Sequence, residues 1–369
     1  MRDALGRVDE DQTKFPFPVC CVQVPFSRKP WDVADDGSMS LTGLLKAVSA
    51  NPEYQRQVAL IRQSQSAPPV TIRQGARPAY VAALWRQFQA PVLVLTPRAE
   101  DARRLYDHLL TYLDEDSPAY LLPETEVLPF ERLAVDSHTG NQRLAAMAAL
   151  ASANNIAESP EFENSVPPLV VASIGAALRL TLPPEVLASD PNGVVVVGQR
   201  VRLNEMLAQW VELGYRNEVL VESPGCFSQR GGIIDVFPSD AVSPFRIELF
   251  DDQVDTIRHF DPYTQRSVKD AKSVSLIPAR EQLPRMASRE RVEELIAKLD
   301  FSRCNAQTRD RFEDELVSLF SDSNSETLAF YNGLLNHSSL IDPVSYTHLR
   351  ANETEAELGC RLLLEKKRW

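Results

Sequence analysis

From residue 41 to residue 182 the apolar positions of this chain fall into two alternating rhythms. "PVLVLT" and "PLVVAS" are short unbroken apolar runs, the pattern of strands buried on both faces. "AEDARRLYDHLLTYL" and "GNQRLAAMAALASA" place their apolar residues three and four apart, the pattern of amphipathic helices. "SLTGLLKAVSANPEYQRQVALIRQ" predicts two helical segments split near Pro52. "PAYVAALWRQF" and "IGAALRLTL" predict further helices, the second ending at Pro183, and "PPVTIR" and "AYLLP" predict strands. Strands alternating with helices of this length predict a parallel sheet covered on both faces, an α/β fold.

The rhythm changes near Gly193. "VVVVGQRV" predicts a strand and "LNEMLAQWVELGY" a helix. Then "EVLVES", "GGIIDVFP", "FRIELF" and "QVDTIRHF" predict four short strands joined by tight turns. This is a β-meander with one helix, so residues 195–282 are expected to form a separate small α+β domain. Beyond it "SRERVEELIAKL", "TRDRFEDELVSLF" and "SETLAFYNGLL" predict charged helices. Residues 1–38 carry Pro16, Pro18, Pro25 and Pro30 and predict irregular chain.

Composition narrows the function. The net charge of −12 over 369 residues gives no long-range positive field, which argues against general nucleic-acid binding. Cys20, Cys21, Cys226, Cys304 and Cys360 are odd in number and fit neither a zinc site nor a disulfide framework, so reduced thiols are expected. No apolar stretch approaches a membrane span, and the acidic start lacks the apolar centre of a signal peptide; a cytoplasmic protein with no membrane partner is expected.

An α/β sheet invites a nucleotide site, whose phosphate loop would read G-x-x-x-x-G-K-[ST]. The corresponding place reads "RQGARPAY": Gly75, Ala76 and Arg77 are there, but the Lys and the Ser/Thr are not. Pro78 also removes an N–H from the start of the helix, where an anion would need one. No acidic pair follows an apolar strand to hold magnesium, no histidine pair has metal-ligand spacing, and no nucleophile elbow occurs. The expectation is a non-enzyme with no cofactor and no metal.

The meander carries more information. In "PFRIELF", period-two alternation puts Phe245, Ile247 and Leu249 on a core face and Arg246, Glu248 and Phe250 on the other. An arginine aligned with an aromatic on a solvent face is either a local turn feature or a protein-docking anchor. In "SQRGGIIDVF" the two glycines predict a bulge or bend, which leaves the face of Arg230 open. A glycine-rich loop beside Arg230 could equally hold a phosphate.

These residues carry a resemblance. "RGGIIDVFP", "RIELFDDQVDTIRHFD" and "TQRS" resemble the domain shared by the excision-repair protein UvrB and the transcription-repair coupling factors. "LTGLLKAV", "LPETEVLPFERL", "QRLAAM", "VVASIGAALRLTLPP" and "FYNGLLNHSSLID" are similar to the coupling factors in particular, and the likeness covers about residues 40–342. It implies a degenerate RecA/helicase-like α/β domain over 39–194, an inserted UvrA-binding domain over 195–282 and the start of a returning helical segment over 283–342. It implies UvrA as the partner, docked through Arg230, Arg246 and Phe250. In the family, RNA polymerase and duplex DNA are engaged through other domains, which these residues do not include. The degenerate loop and a shortened hairpin at "LPETEVLPFERLAVD" set the chain apart from UvrB, although a divergent ATP- and DNA-binding excision-repair subunit is the alternative.

Residues 343–369 fit none of this. "VSYTHLRA" and "CRLLLEK" resemble, in order, the translated ends of a transposon-based sequencing adapter. This tail is expected to be an artefact that carries no function, with the natural chain running on past Asp342.

Overall fold

A computed structural model describes residues 41–63, 70–127, 131–156, 166–188, 193–321, 328–340, 346–350 and 361–365 of the chain. The expected irregular segment 1–38 lies outside them. The first part runs α1 (Leu45–Ser49), α2 (Pro52–Arg62), α3 (Arg77–Phe88), β1 (Val92–Thr96), α4 (Ala99–Leu109), β2 (Ala119–Leu122), α5 (Ser137–Ile156), β3 (Leu169–Ser173), α6 (Ile174–Leu178) and α7 (Pro184–Leu187). Asn51 starts α2 by accepting hydrogen bonds from the N–H groups of Glu53 and Tyr54, and Pro52 fits the first turn because its missing N–H has no helical acceptor there.

β3 lies between β1 and β2, parallel to both. The unbroken apolar runs are explained by the two layers that cover this sheet. Val92 and Val94 of β1, with Leu169 and Val171 of β3, pack into the core under α2, α3 and α4. Leu93 and Leu95, with Val170 and Ala172, face the opposite core under α5 and α7. Each fully buried Val or Leu contributes about 1.5–3 kcal/mol, so a polar residue at any of these positions would be costly.

The expected "PPVTIR" strand is not formed over Val70–Arg73, which belong to no ladder. The chain there turns directly into a 3₁₀ turn (Gln74–Ala76) and α3.

The second part holds β4 (Val194–Val196), α8 (Leu203–Glu212), β5 (Arg216–Asn217), β6 (Cys226–Arg230), β7 (Ile233–Phe237), β8 (Phe245–Phe250), β9 (Gln253–Phe260), β10 (Ser267–Ala271) and β11 (Ser273–Ser275). β10, β9, β8, β7, β6 and β5 form one sheet in that order, and β11 pairs with β4. Met206 and Trp210 of α8 pack on Phe227, Ile234, Val236, Phe245, Ile247 and Ile257, with the Trp210 and Phe227 rings edge to face at 5.7 Å.

Two strand expectations are corrected here. "VVVVGQRV" is extended only over β4, because Gly198 (φ +87°) turns the chain back. "EVLVES" is not a strand; the pairing has moved upstream to β5, and Val219 and Leu220 stand exposed beyond it.

The third part contains α9 (Arg289–Ala297), α10 (Ala306–Ser321) and α11 (Asn332–Leu335). α11 is shorter than the helix expected from "SETLAFYNGLL", since Leu328–Tyr331 form a turn. This part is fastened to the first by buried polar groups. Arg143 of α5 donates to both carboxylate oxygens of Glu281, at 2.5 and 3.2 Å, and to Pro123 O at 2.8 Å. Asn336 donates to Glu281 O, Asn332 to Leu180 O and Gln282 to Asn332.

β12 (Tyr346–Arg350) and β13 (Arg361–Glu365) add two antiparallel strands beside β1. The tail set aside on sequence grounds therefore does meet the sheet, since the edge of β1 offers a row of backbone groups to any strand. Among the described residues no helix is long and apolar enough to cross a membrane.

Candidate functional site

The six-stranded sheet buries one face under α8 and presents the other. β6 and β7 form a hairpin closed by Gly231 and Gly232, in unbroken register from Cys226 opposite Phe237 to Arg230 opposite Ile233. Gly231 has φ +63°, which a two-residue hairpin loop requires and glycine supplies without strain. The bulge or bend expected at these glycines is a tight two-residue turn. The register shifts of this sheet lie instead between Glu248 and Leu249 and between Ser267 and Lys269.

Unbroken register settles the face of Arg230. Ser228, Asp235, Arg246, Arg258 and Asp270 stand directly opposite one another across five strands. Arg230 is two residues from Ser228 on the same strand, so it shares the face of Arg246.

The arginines on this face differ in their partners. Arg246 grips Asp235 with Nε and Nη2, at 2.7 and 2.8 Å, and donates Nη1 to Gln265 O at 3.2 Å. Its guanidinium also lies 4.8 Å from the centre of the Phe260 ring. Hydrogen bonding to Asp235 raises its pKa further, and its side chain is only 19% exposed. Arg258 meets Glu248 and Asp270, each at 3.3 Å. Arg230 is exposed and makes one hydrogen bond, Nη2 to Val219 O at 2.7 Å; no carboxylate of the described residues pairs with it.

Phe250 ends β8 with 79% of its surface in water, as the alternation of "PFRIELF" implied. Leu249 N donates to Gly232 O at 2.8 Å, which sets Phe250 beside the Gly231–Gly232 turn. The structure thus brings Arg230 and Phe250 to one end of the sheet and builds Arg246 into its middle. Asp235 and Phe260 were missed from sequence. The same parity that placed Arg246 would have put Asp235 on its face.

At the phosphate-loop position, Gly75 and Ala76 lie in the 3₁₀ turn and Pro78 is buried in the first turn of α3. Nothing lies within 4 Å of the place a Cβ on Gly75 would take, so no close approach requires a glycine there. At the carboxyl ends of β2 and β3, where α/β sheets hold ligands, Glu124 accepts a hydrogen bond from the Ser173 hydroxyl and crowds Gly175. A carboxylate in that place repels a phosphate. Among the described residues no group of three or more His, Cys, Asp or Glu is arranged to hold a metal ion, and Cys226 and Cys304 are free thiols.

Residues 194–281 match the family described as the UvrB interaction domain. The chain is 33% identical over 221 residues to the transcription-repair-coupling factor of Bacillus subtilis (strain 168), covering 60% of this chain and 18% of that protein. With the transcription-repair-coupling factor of Myxococcus xanthus it shares 32% identity over 245 residues, 65% of this chain and 19% of the other. The UvrABC system protein B of Xylella fastidiosa (strain M12) is 26% identical over 211 residues, 54% of this chain and 29% of that protein. The chain thus spans less than a third of the length of each of these relatives.

Proposed function

Because residues 194–281 are a UvrB interaction domain in a chain related to the transcription-repair-coupling factors, we propose that this module recruits UvrA to nucleotide excision repair. It works by docking and performs no catalysis of its own. The observation that supports this best is the end of the six-stranded sheet. There Phe250 stands in water and Arg230 lacks a carboxylate, while Arg246 and Arg258 on the same face are paired within the sheet. An exposed aromatic and an arginine without a carboxylate on one sheet end are the residue types that dominate protein–protein hot spots, since the ring removes much apolar area from water and the guanidinium can grip a carboxylate with two bonds.

A non-catalytic role also fits the first domain. The loop at Gly75, Ala76 and Arg77 has no lysine for a phosphate, and Glu124 places negative charge at the strand ends.

Competition tests this reading. UvrA loaded with fluorescent UvrB is titrated with the 369-residue chain. Displacement of UvrB is expected. Formation of a stable complex of all three proteins, or retention of UvrB at saturating chain, would overturn it.

A further inference from the structure

Three aliphatic or aromatic side chains with no role in the core stand at the same end of the sheet as Arg230. Ile233 faces it across the hairpin and is 42% exposed, the exposed residue of a strand whose remaining four positions are buried. Val219 is 87% exposed. Its carbonyl is tied down by Arg230 Nη2 at 2.7 Å and Ser228 Oγ at 3.3 Å, so the backbone is held while the side chain remains in water. Glu248 stands directly opposite Ile233 on β8, and Phe250 lies two residues beyond it, beside the glycine turn that Leu249 N meets at Gly232 O. Single exposed apolar residues are ordinary, but a contiguous group on an ordered sheet end marks a contact surface.

Arg230 has spare donors. Its one hydrogen bond uses Nη2, and among the described residues Nε and Nη1 have no acceptor. Nη2 carries two N–H groups, one on each two-donor edge of the guanidinium, so the edge that Val219 O does not occupy can take a carboxylate with two parallel bonds.

We propose that Ile233 and Val219 are further docking residues, and that the surface takes a UvrA patch in which one carboxylate is ringed by apolar side chains. Arg230 supplies the ionic contact, and Ile233, Val219 and Phe250 the water-excluding ring around it. Arg246 contributes chiefly by holding the sheet. This rests on the UvrA reading above and specifies the chemistry of that site.

Calorimetry of the full chain with purified UvrA tests it, using Ile233→Thr and Val219→Thr. Threonine keeps the branched shape and the strand preference while removing apolar contact. Val219 lies outside any strand, so its variant keeps the fold even if the Ile233 variant is weakened. Each variant is expected to bind about tenfold more weakly or worse, with an unchanged thermal melt. Unchanged affinity in both, with binding lost in Phe250→Ala, would overturn this inference and leave the UvrA reading intact. No binding by the folded wild-type chain would overturn the reading, and the inference with it.

Discussion

Arg246 and Asp235 face each other across β7 and β8 and are joined by two nearly equal hydrogen bonds, 2.7 and 2.8 Å long. Asp235 is buried, so the pair is part of the fold as well as of the presented face. Removing the guanidinium strands a carboxylate away from water, which costs about 3–5 kcal/mol. Urea denaturation of Arg246→Ala is expected to show that loss. The double variant Arg246→Gln with Asp235→Asn, which leaves no buried charge, is expected to recover much of it. A weakened affinity in any Arg246 variant speaks for docking only where the melt is unchanged.

Arg143 and Glu281 make a second buried pair, between α5 and the end of the inserted domain. Glu281 also accepts Asn336 at its carbonyl, so three parts of the chain meet there. Arg143→Met is expected to destabilise by about 3–5 kcal/mol, because Glu281 then lies buried and unpaired. Hydrogen exchange should rise at the joint around residues 280–282 and 331–336 before it rises in β6–β9. Equal protection loss everywhere would argue that the pair does not act as a local fastener.

Asp240 is half-buried after β7, and burial pushes its carboxyl up to about 6. A carboxylate in the unfolded chain titrates near about 4, so between these values the folded state holds a proton that the unfolded state has lost. Stability from this group therefore falls as pH rises through that window, and the full penalty stands above it. Asp240→Asn is expected to stabilise at neutral pH by on the order of 1 kcal/mol, after discounting for partial exposure, with the gain fading below about pH 4. Thermal melts across pH check the sign.

Glycine substitutions separate a position where the fold requires glycine from one where it does not. Gly214 has φ +89°, and a Cβ there would come within 2.8 Å of the Arg280 side chain and 3.0 Å of Leu283. Gly214→Ala is expected to cost about 1–3 kcal/mol. Gly75→Ala meets open space and an ordinary backbone, and is expected to change stability by less than about 0.5 kcal/mol. Chemical denaturation compares the two.

Legibility in the sequence followed locality. The bounds of β8 and β9 were readable to the residue, because "FRIELF" and "QVDTIRHF" are rich in strand-forming residues and the turn between them is polar, whereas the register shift between Glu248 and Leu249 was not. The two-layered sheet was readable from unbroken runs such as "PVLVLT". "PPVTIR" and "EVLVES" misled because strand preference is a statement about side chains, while a strand also needs a partner edge. Parity placed Arg246 and Phe250 on one face, but it could not show that Asp235 lies directly opposite Arg246. That depends on the register of β7 against β8, which is set by the connection over residues 238–244 and not by the alternation within either strand. The freedom of Arg230 was likewise invisible, since it is decided by which carboxylates long-range pairing gives to Arg246 and Arg258.

Docking of UvrA on the exposed end of this sheet is tested by titrating the chain into purified UvrA, with Phe250→Ala alongside. Phe250 lies in water, so its removal should leave the fold unchanged by circular dichroism. Saturable binding by the wild-type chain is expected, with affinity at least about tenfold weaker in the variant. A folded wild-type chain that gives no binding, or a variant that binds equally well, would contradict it.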